Sequence, residues 1–227
     1  MRSPMKSPLD DHPATVTLRD ESGRLAFRVM PRALTPQRAQ LSDQASRIFG
    51  FGLLAASLVT IPDWQQPELP VMTAVFIGAW LGGAVLRWGM RAVFHTTTPI
   101  ELGLECISVC RHGRWECFDR HQEHCFALLP HDQGEQERRR NEFNTRDAAA
   151  RGEVVQMPVY FGDSFHVVLI YAGHRVDLMS IYGRQRAAAV VARLQYCDRV
   201  LEQEAKRAGA GDNPHASGDW HQSPGGL

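Results

Sequence analysis

Eight thiol and imidazole side chains fall within one short stretch: Cys106, Cys110, His112, Cys117, His121, His124, Cys125 and His131. Thiolate sulfur and neutral imidazole are the ligands that zinc and copper sites use. In a strand, Cys106 and Cys110 share one face because side chains alternate, and Cys117 lies on the neighbouring strand across a His112-Gly113 turn. Cys106, Cys110, Cys117, His121 and Cys125 are therefore the candidate ligands of a metal or redox sensor. No CxxC knuckle of a structural zinc site is present. The plainer expectation is that these cysteines serve as small core hydrophobes while the histidines occupy turns. Cys197, in the carboxy-terminal apolar stripe, is expected in the core.

Other reactive types do not assemble into a catalytic pattern. Asp163, Ser164 and His166, and likewise His174 and Asp177, sit on alternating strand positions without a nucleophile elbow. There is no GxGxxG and no P-loop. The sequence thus predicts no enzyme activity, no cofactor and no small-molecule substrate. Lys+Arg and Asp+Glu balance at 25 each, so no electrostatic footprint points to nucleic acid. Lysine occurs only at Lys6 and Lys206, the other cations being arginine, a bias that with frequent alanine suggests a bacterial, GC-rich genome.

The elements that must position these residues begin with two apolar runs, 48–64 and 71–86, joined by the acidic, Pro-rich stretch 62–70. They read as a two-helix transmembrane hairpin within residues 47–94. Arg32, Arg38 and Arg47 precede the first run and Arg87 and Arg91 end the second, whereas the link carries no Lys or Arg. Positive-inside logic places both termini in the cytoplasm, which predicts a multi-pass protein of the bacterial inner membrane with thiols in a reducing compartment. Trp64 and Trp88 suit the two interfaces. The amino terminus is polar, so no cleavable signal is expected.

Small residues recur at helical spacing: Gly52 with Ala56, then Ala74, Gly78 and Gly82 in one row, with Ala79 and Gly83 in the next. Such rows let helix backbones approach, either within one chain or, through Gly78 and Gly82, between two copies. The first run up to Pro62 and the whole of the second contain no acidic residue or histidine, which argues against an ion or proton path.

Residues 1–46 form a polar amino-terminal segment whose alternation over 15–19 and 24–29, around 20–23, predicts a β-hairpin. A short amphipathic helix over 35–46 leads into the first run, capped by Thr35 before Pro36. Residues 99–208 read as an antiparallel β domain, with strands at 101–110, 114–119, 125–129, 154–161, 164–172 and 175–181. The charged stretch 133–152 interrupts it as a solvated loop or exposed helix. The triple arginine Arg138 to Arg140, with Arg146 and Arg151, is largely offset by the carboxylates interleaved with it. A helix over 184–208 closes the domain, its stripe comprising Ala188, Val191, Leu194, Tyr196, Val200 and Leu201. The tail, 209–227, has the composition of a disordered segment.

This order of elements resembles that of small bacterial two-pass membrane proteins whose β-meander and final helix form a pleckstrin-homology-like domain. The resemblance spans residues 25–203. It implies an anchored scaffold or interaction domain, with a protein partner or a second copy of the chain, and transfers no active-site residue.

Overall fold

The computed structural model describes residues 13–19, 23–60, 69–111, 113–155 and 157–211. The polar leader, the turn residues 20–22, the Pro-rich link with Trp64, His112 and the tail beyond 211 lie outside these residues. The described residues form an α+β fold of antiparallel sheets with four helices, one of them strongly apolar.

Strands β1 (Ala14–Arg19) and β2 (Leu25–Met30) make the expected amino-terminal hairpin, with Gly23 at φ +77° in its turn. The short β3 (Arg32–Ala33) leads into α1 (Pro36–Thr60), which packs lengthwise on α2 (Leu69–Val93). The chain leaves α2 through β4 (Thr96–Thr97), which pairs with β3, and enters β5 (Ile100–Leu102), which pairs with β2. The two helices are thus an excursion from one sheet. Strands β6 (Cys106–Arg111) and β7 (Arg114–Asp119) complete that sheet in the order β1-β2-β5-β6-β7.

Strand β8 (His124–Pro130) starts a second sheet instead of continuing the meander. Helix α3 (Gly134–Ala150) follows, then β9 (Ser164–Tyr171) and β10 (His174–Tyr182), giving the order β10-β9-β8. Helix α4 (Arg184–Gly211) covers the space between the sheets. Val29, Ile100, Leu102, Ile107 and Val109 from the first sheet meet Phe126, Val167, Leu169 and Ile181 from the second in one core. Leu194, Cys197 and Leu201 of α4 seal it.

Several boundaries differ from the sequence expectation. The strand read over 101–110 is two strands, because the chain turns at 103–105 and Gly103 N–H donates to Cys106 O at 2.9 Å. Residues 153–155 and 157–159 form no strand. Asn141, Glu137 and Arg138 of α3 bond the backbone at Pro158, Tyr160 and Gly162, and those contacts stand where a sheet ladder was expected. The lead-in helix and the first apolar run are one continuous α1, since nothing at 46–48 breaks the helix. The buried stripe of α4 is Ala187, Val190, Val191, Leu194, Cys197 and Leu201. Ala188 and Tyr196 face solvent, so the helix is rotated from the stripe expected.

The two-span hairpin is reduced in the same way. Among the described residues only α2 is long and apolar enough to cross a membrane, with a mean hydropathy of 1.9 over its best window. In α1 the polar first half, with Arg38, Asp43 and Arg47, shares one helix with the apolar second half.

The β9–β10 loop contains a backbone strain that can be relieved. Ala172 (φ 49°) and Gly173 (φ 79°) both adopt the left-handed conformation that a two-residue type I′ turn requires. Alanine there costs about 1–2 kcal/mol relative to an unstrained residue. Ala172→Asn is expected to stabilise the protein by about 0.5–1 kcal/mol in denaturant unfolding of the full chain. An unchanged or lowered midpoint would contradict this account of the turn.

Candidate functional site

The densest polar network sits where the two helices leave the β domain. Strands β3 and β4 hold the two chain crossings together, and Thr96 Oγ1 adds a hydrogen bond to Ala33 O at 3.2 Å. Arg38 on α1 donates to Phe94 O at the end of α2, 2.9 Å away. Asp43 is the hub of the network. Its Oδ1 receives Arg91 NH2 of α2 at 2.8 Å, and its Oδ2 receives the Tyr160 hydroxyl at 3.0 Å. One carboxylate therefore ties α1, α2 and the segment between α3 and β9 into a single joint. Tyr160 is 6% exposed. Burial, then its bond to Asp43, pushes its phenol up to about 12.

That segment is fixed from the other side by Glu137, whose carboxylate accepts the backbone N–H of Tyr160 at 3.0 Å and of Gly162 at 2.7 Å. Arg138 bonds Gly162 O, and Asn141 donates to Pro158 O at 3.4 Å. A Cβ on Gly134 would meet Phe161 O at 2.9 Å, so α3 starts hard against the same loop. The triple arginine is thus dispersed: Arg138 turns to the loop, Arg139 pairs with Glu135, and Arg151 pairs with Asp147.

The helix pair closes through small residues, although not through the row Ala74, Gly78 and Gly82. Ala79 and Gly83 are buried, and a Cβ on Gly83 would stand 3.1 Å from Ser46 O. Gly50 lies opposite Ala79 O. Gly82 touches the edge of this seam through Leu53, whereas Gly52, Ala56, Ala74 and Gly78 are exposed on the outside of the pair.

Beside the seam a groove of about 380 Å³ runs between α1 and α2. Its walls include Phe51, Leu54, Phe76 and Trp80, and its domain end includes Asp43, Arg47 and Arg87. On the other side of the joint, a second hollow is lined by Trp88, Arg91, His95, Arg184 and Arg186. Among the described residues Arg32, Arg47, Arg87, Arg184 and Arg186 have no carboxylate within ion-pair distance, so the joint carries a collar of unneutralised arginine. The sequence reading flagged Arg32, Arg47 and Arg87 only as topology markers.

The cysteine and histidine stretch is spread over both sheets and their connection. Cys106, Ser108, Cys110 and Cys117 share the outer face of the first sheet, since Ser108 pairs with Cys117 while Ile107 and Val109 point to the core. Cys106 Sγ lies 3.4 Å from Ser108 Oγ. The hydrogen-bonding interaction with Cys106, which favours the neutral Cys117 thiol, then burial, raises that thiol above its ordinary range. Cys125 is exposed on β8, in the other sheet, and His121 lies in the connection between the sheets. Among the described residues no three metal-ligating side chains converge, so Cys106, Cys110, Cys117, His121 and Cys125 do not form the ligand set considered from sequence. Cys197 is in the core as expected, its thiol pushed up to about 11 by burial.

His124 has a structural setting instead. Its Nε2 lies 3.2 Å from Asp198 Oδ1 and its Nδ1 2.8 Å from Gln122 O. Arg120, 7% exposed, donates Nε to Asp198 Oδ1 at 3.0 Å and NH2 to Asp198 O at 2.7 Å. The sheet-to-sheet connection is thereby bolted to α4. Near α3, His131 stacks on His166 with ring centroids 4.5 Å apart, and burial, then the neighbouring His166, lowers the His131 imidazole.

No family model, curated protein or solved structure matches this chain. Function must therefore be argued from the geometry. Neither polar network leaves a nucleophile beside a free base in a closed cavity, the arrangement acyl or phosphoryl chemistry would need. What the joint offers is a rigid base for two helices, ringed by cations.

Two consequences can be measured. Asp198→Ala leaves the Arg120 guanidinium buried without its partner, and is expected to destabilise the full chain by about 3–5 kcal/mol in denaturant unfolding. A loss below 1 kcal/mol would show that the bolt is not structural. Tyr160→Phe should cost about 1.5–3 kcal/mol at neutral pH, because a hydrogen bond to a carboxylate is lost. The Tyr160 phenol rises from 10 to about 12 on folding, so its contribution is complete below pH 10 and fades as pH climbs through 12. The stability gap between the unaltered protein and Tyr160→Phe should close over that interval. A gap independent of pH would refute the assignment.

Proposed function

We propose that α1 and α2 form a two-pass hairpin in a bacterial inner membrane, with both termini cytoplasmic. The β domain, pleckstrin-homology-like in plan, then serves as an interaction or scaffold element of a membrane assembly and carries out no chemistry of its own. The observation that carries this reading is the belt of exposed apolar side chains around the helix pair. Ile48 and Phe51 on α1 are 73% and 71% exposed, and Trp80 and Trp88 on α2 are 72% and 76% exposed. Covering one such side chain contributes about 1.5–3 kcal/mol, and contiguous apolar surface of this extent marks a membrane or protein contact.

Charge placement supports the membrane and the orientation. Arg38, Arg47, Arg87 and Arg91 stand at the domain end, and the opposite link has Asp63 and Glu68 but no cation. Over residues 48–60 the apolar part of α1 rises about 20 Å. That is short of a hydrocarbon core of about 30 Å. Snorkelling of Arg47 and local thinning accommodate a short span at modest cost.

The scaffold role is supported by what the β domain leaves open. Strand β7 ends the five-stranded sheet and presents Trp115, 51% exposed, beside Cys117. An exposed edge of this kind accepts an added strand from a partner or a second copy. The alternative metal or redox sensor retains one observation, the placement of Cys106, Cys110 and Cys117 on one face of the first sheet, where structural zinc takes four converging ligands.

Reporter fusions at the carboxy terminus and within residues 63–68 should report opposite sides of the membrane. Alkaline carbonate should leave the full chain in the pellet. Carbonate extraction, or reporters on the same side, would overturn the hairpin.

A further inference from the structure

We infer that the groove between α1 and α2 holds an anionic glycerophospholipid, with an acyl chain against Phe51, Leu54, Phe76 and Trp80 and the phosphate at Arg47 and Arg87. The inference rests on the membrane reading, because the lipid comes from the leaflet on the side of the β domain.

The groove follows from the seam. Ser46 and Gly50 face Gly83 and Ala79 so closely that the two backbones nearly touch. Larger side chains on either side must splay, which leaves the hollow of about 380 Å³. That volume lies within the range of pockets that hold small ligands. Phe51 and Phe76 are 71% and 57% exposed along its walls, so the wall is unfilled by the chain itself. Between Phe76 and Arg87 the groove extends about 16 Å along α2. That is roughly half the hydrocarbon thickness, the depth one acyl chain occupies.

The domain end is charged as a phosphate requires. Arg47 and Arg87 are exposed, line the same hollow and, among the described residues, pair with no carboxylate. Asp43 is the one carboxylate on the wall. Both its oxygens are engaged, one by Arg91 and the other by the Tyr160 hydroxyl, so it offsets neither free arginine. A basic pocket between membrane helices at the headgroup level is the setting in which anionic lipid is retained. A free phosphate would satisfy the arginines and leave the aromatic wall bare. A zwitterionic lipid would cover the wall and add an ammonium beside two guanidinium groups.

The test uses the full chain purified in mild detergent. It is exposed to equal amounts of phosphatidylglycerol and phosphatidylcholine with identical acyl chains, and retained lipid is counted by native mass spectrometry. Phosphatidylglycerol should be retained roughly tenfold or more over phosphatidylcholine. Arg47→Gln/Arg87→Gln should bring the ratio near unity, whereas Arg139→Gln/Arg140→Gln, which removes the same charge from α3, should leave it unchanged. Ala84→Phe fills the groove with both arginines in place and should abolish retention of either lipid. Inorganic phosphate should not displace bound phosphatidylglycerol. Equal retention of the two lipids, an unchanged preference in the Arg47/Arg87 variant, equal loss in the α3 variant, or displacement by inorganic phosphate would each overturn the site. Carbonate extraction of the chain separates the two claims: a chain held in the membrane without lipid preference sinks only the lipid site, and an extracted chain sinks the membrane reading.

Discussion

The pairing of β2 with β5 is the constraint on which the rest of the molecule depends. Phe27, Arg28 and Val29 pair with Leu102, Glu101 and Ile100, although the whole helix pair intervenes in the chain. Arg28 donates to Glu101 Oε1 at 2.7 Å across the same junction. Without this pairing β1 and β2 would be an isolated hairpin, marginal in water. With it, they complete a five-stranded sheet whose inner face, through Val29 and Ile100, becomes half of the core. Closing so long a loop costs entropy only logarithmically in its length. The helices that occupy the loop contribute their own seam, so the closure is shared between the sheet and the pair.

That topology puts entry and exit of the excursion side by side, which explains why the joint is dense in polar contacts. Two helix ends brought to one place present unpaired N–H and C=O groups together. Arg38 satisfies Phe94 O, and Asp43 gathers Arg91 and Tyr160. The link to Tyr160 matters most mechanically, since Glu137 fixes the same tyrosine's backbone from α3. A tilt of the helix pair is therefore felt by α3 and by the start of β9 through two charge-assisted contacts, not through a flexible linker. The Arg120–Asp198–His124 bolt does the corresponding work on the far side, where the chain passes between sheets under α4.

The fold was legible where periodicity is strong and local. The alternation at β9 and β10, the hairpin of β1 and β2 and the helix near 184 all follow from patterns a few residues long. Three features were not legible. The break at 103–105 is marked only by a phase change, the buried positions passing from Ile100 and Leu102 to Ile107 and Val109 across Gly103, which a single strand over 101–110 overlooks. Residues 154–161 carry strand-like composition, but the backbone at Pro158, Tyr160 and Gly162 is captured by Asn141, Glu137 and Arg138, partners more than a dozen residues away. The rotation of α4 is set by Arg120: Asp198 must turn toward the connection between sheets, and that takes Tyr196 out of the stripe. A carboxylate beside Cys197 in an otherwise apolar stripe was the signal that a buried cation would meet it.

The same logic explains why the most chemically suggestive stretch is not the site. Cys106, Cys110 and Cys117 alternate with Ile107, Val109 and Phe118, and the apolar set wins the inner face because burying it contributes far more than burying thiols. The cysteines are carried outward by that register, and the turn from β7 to β8 sends Cys125 to a different sheet. Residue type alone promised a ligand cluster; sheet register dispersed it. The arginines behave oppositely. Arg47 and Arg87 are far apart in sequence and unremarkable in type, yet the antiparallel seam of Ser46, Gly50, Ala79 and Gly83 sets them at one end of one groove. The positions that could bind a ligand here are defined by helix register, and the small residues that define it are Gly50, which lies in neither row read from the sequence, and Gly83, which belongs with Ala79 to the row beside Ala74, Gly78 and Gly82.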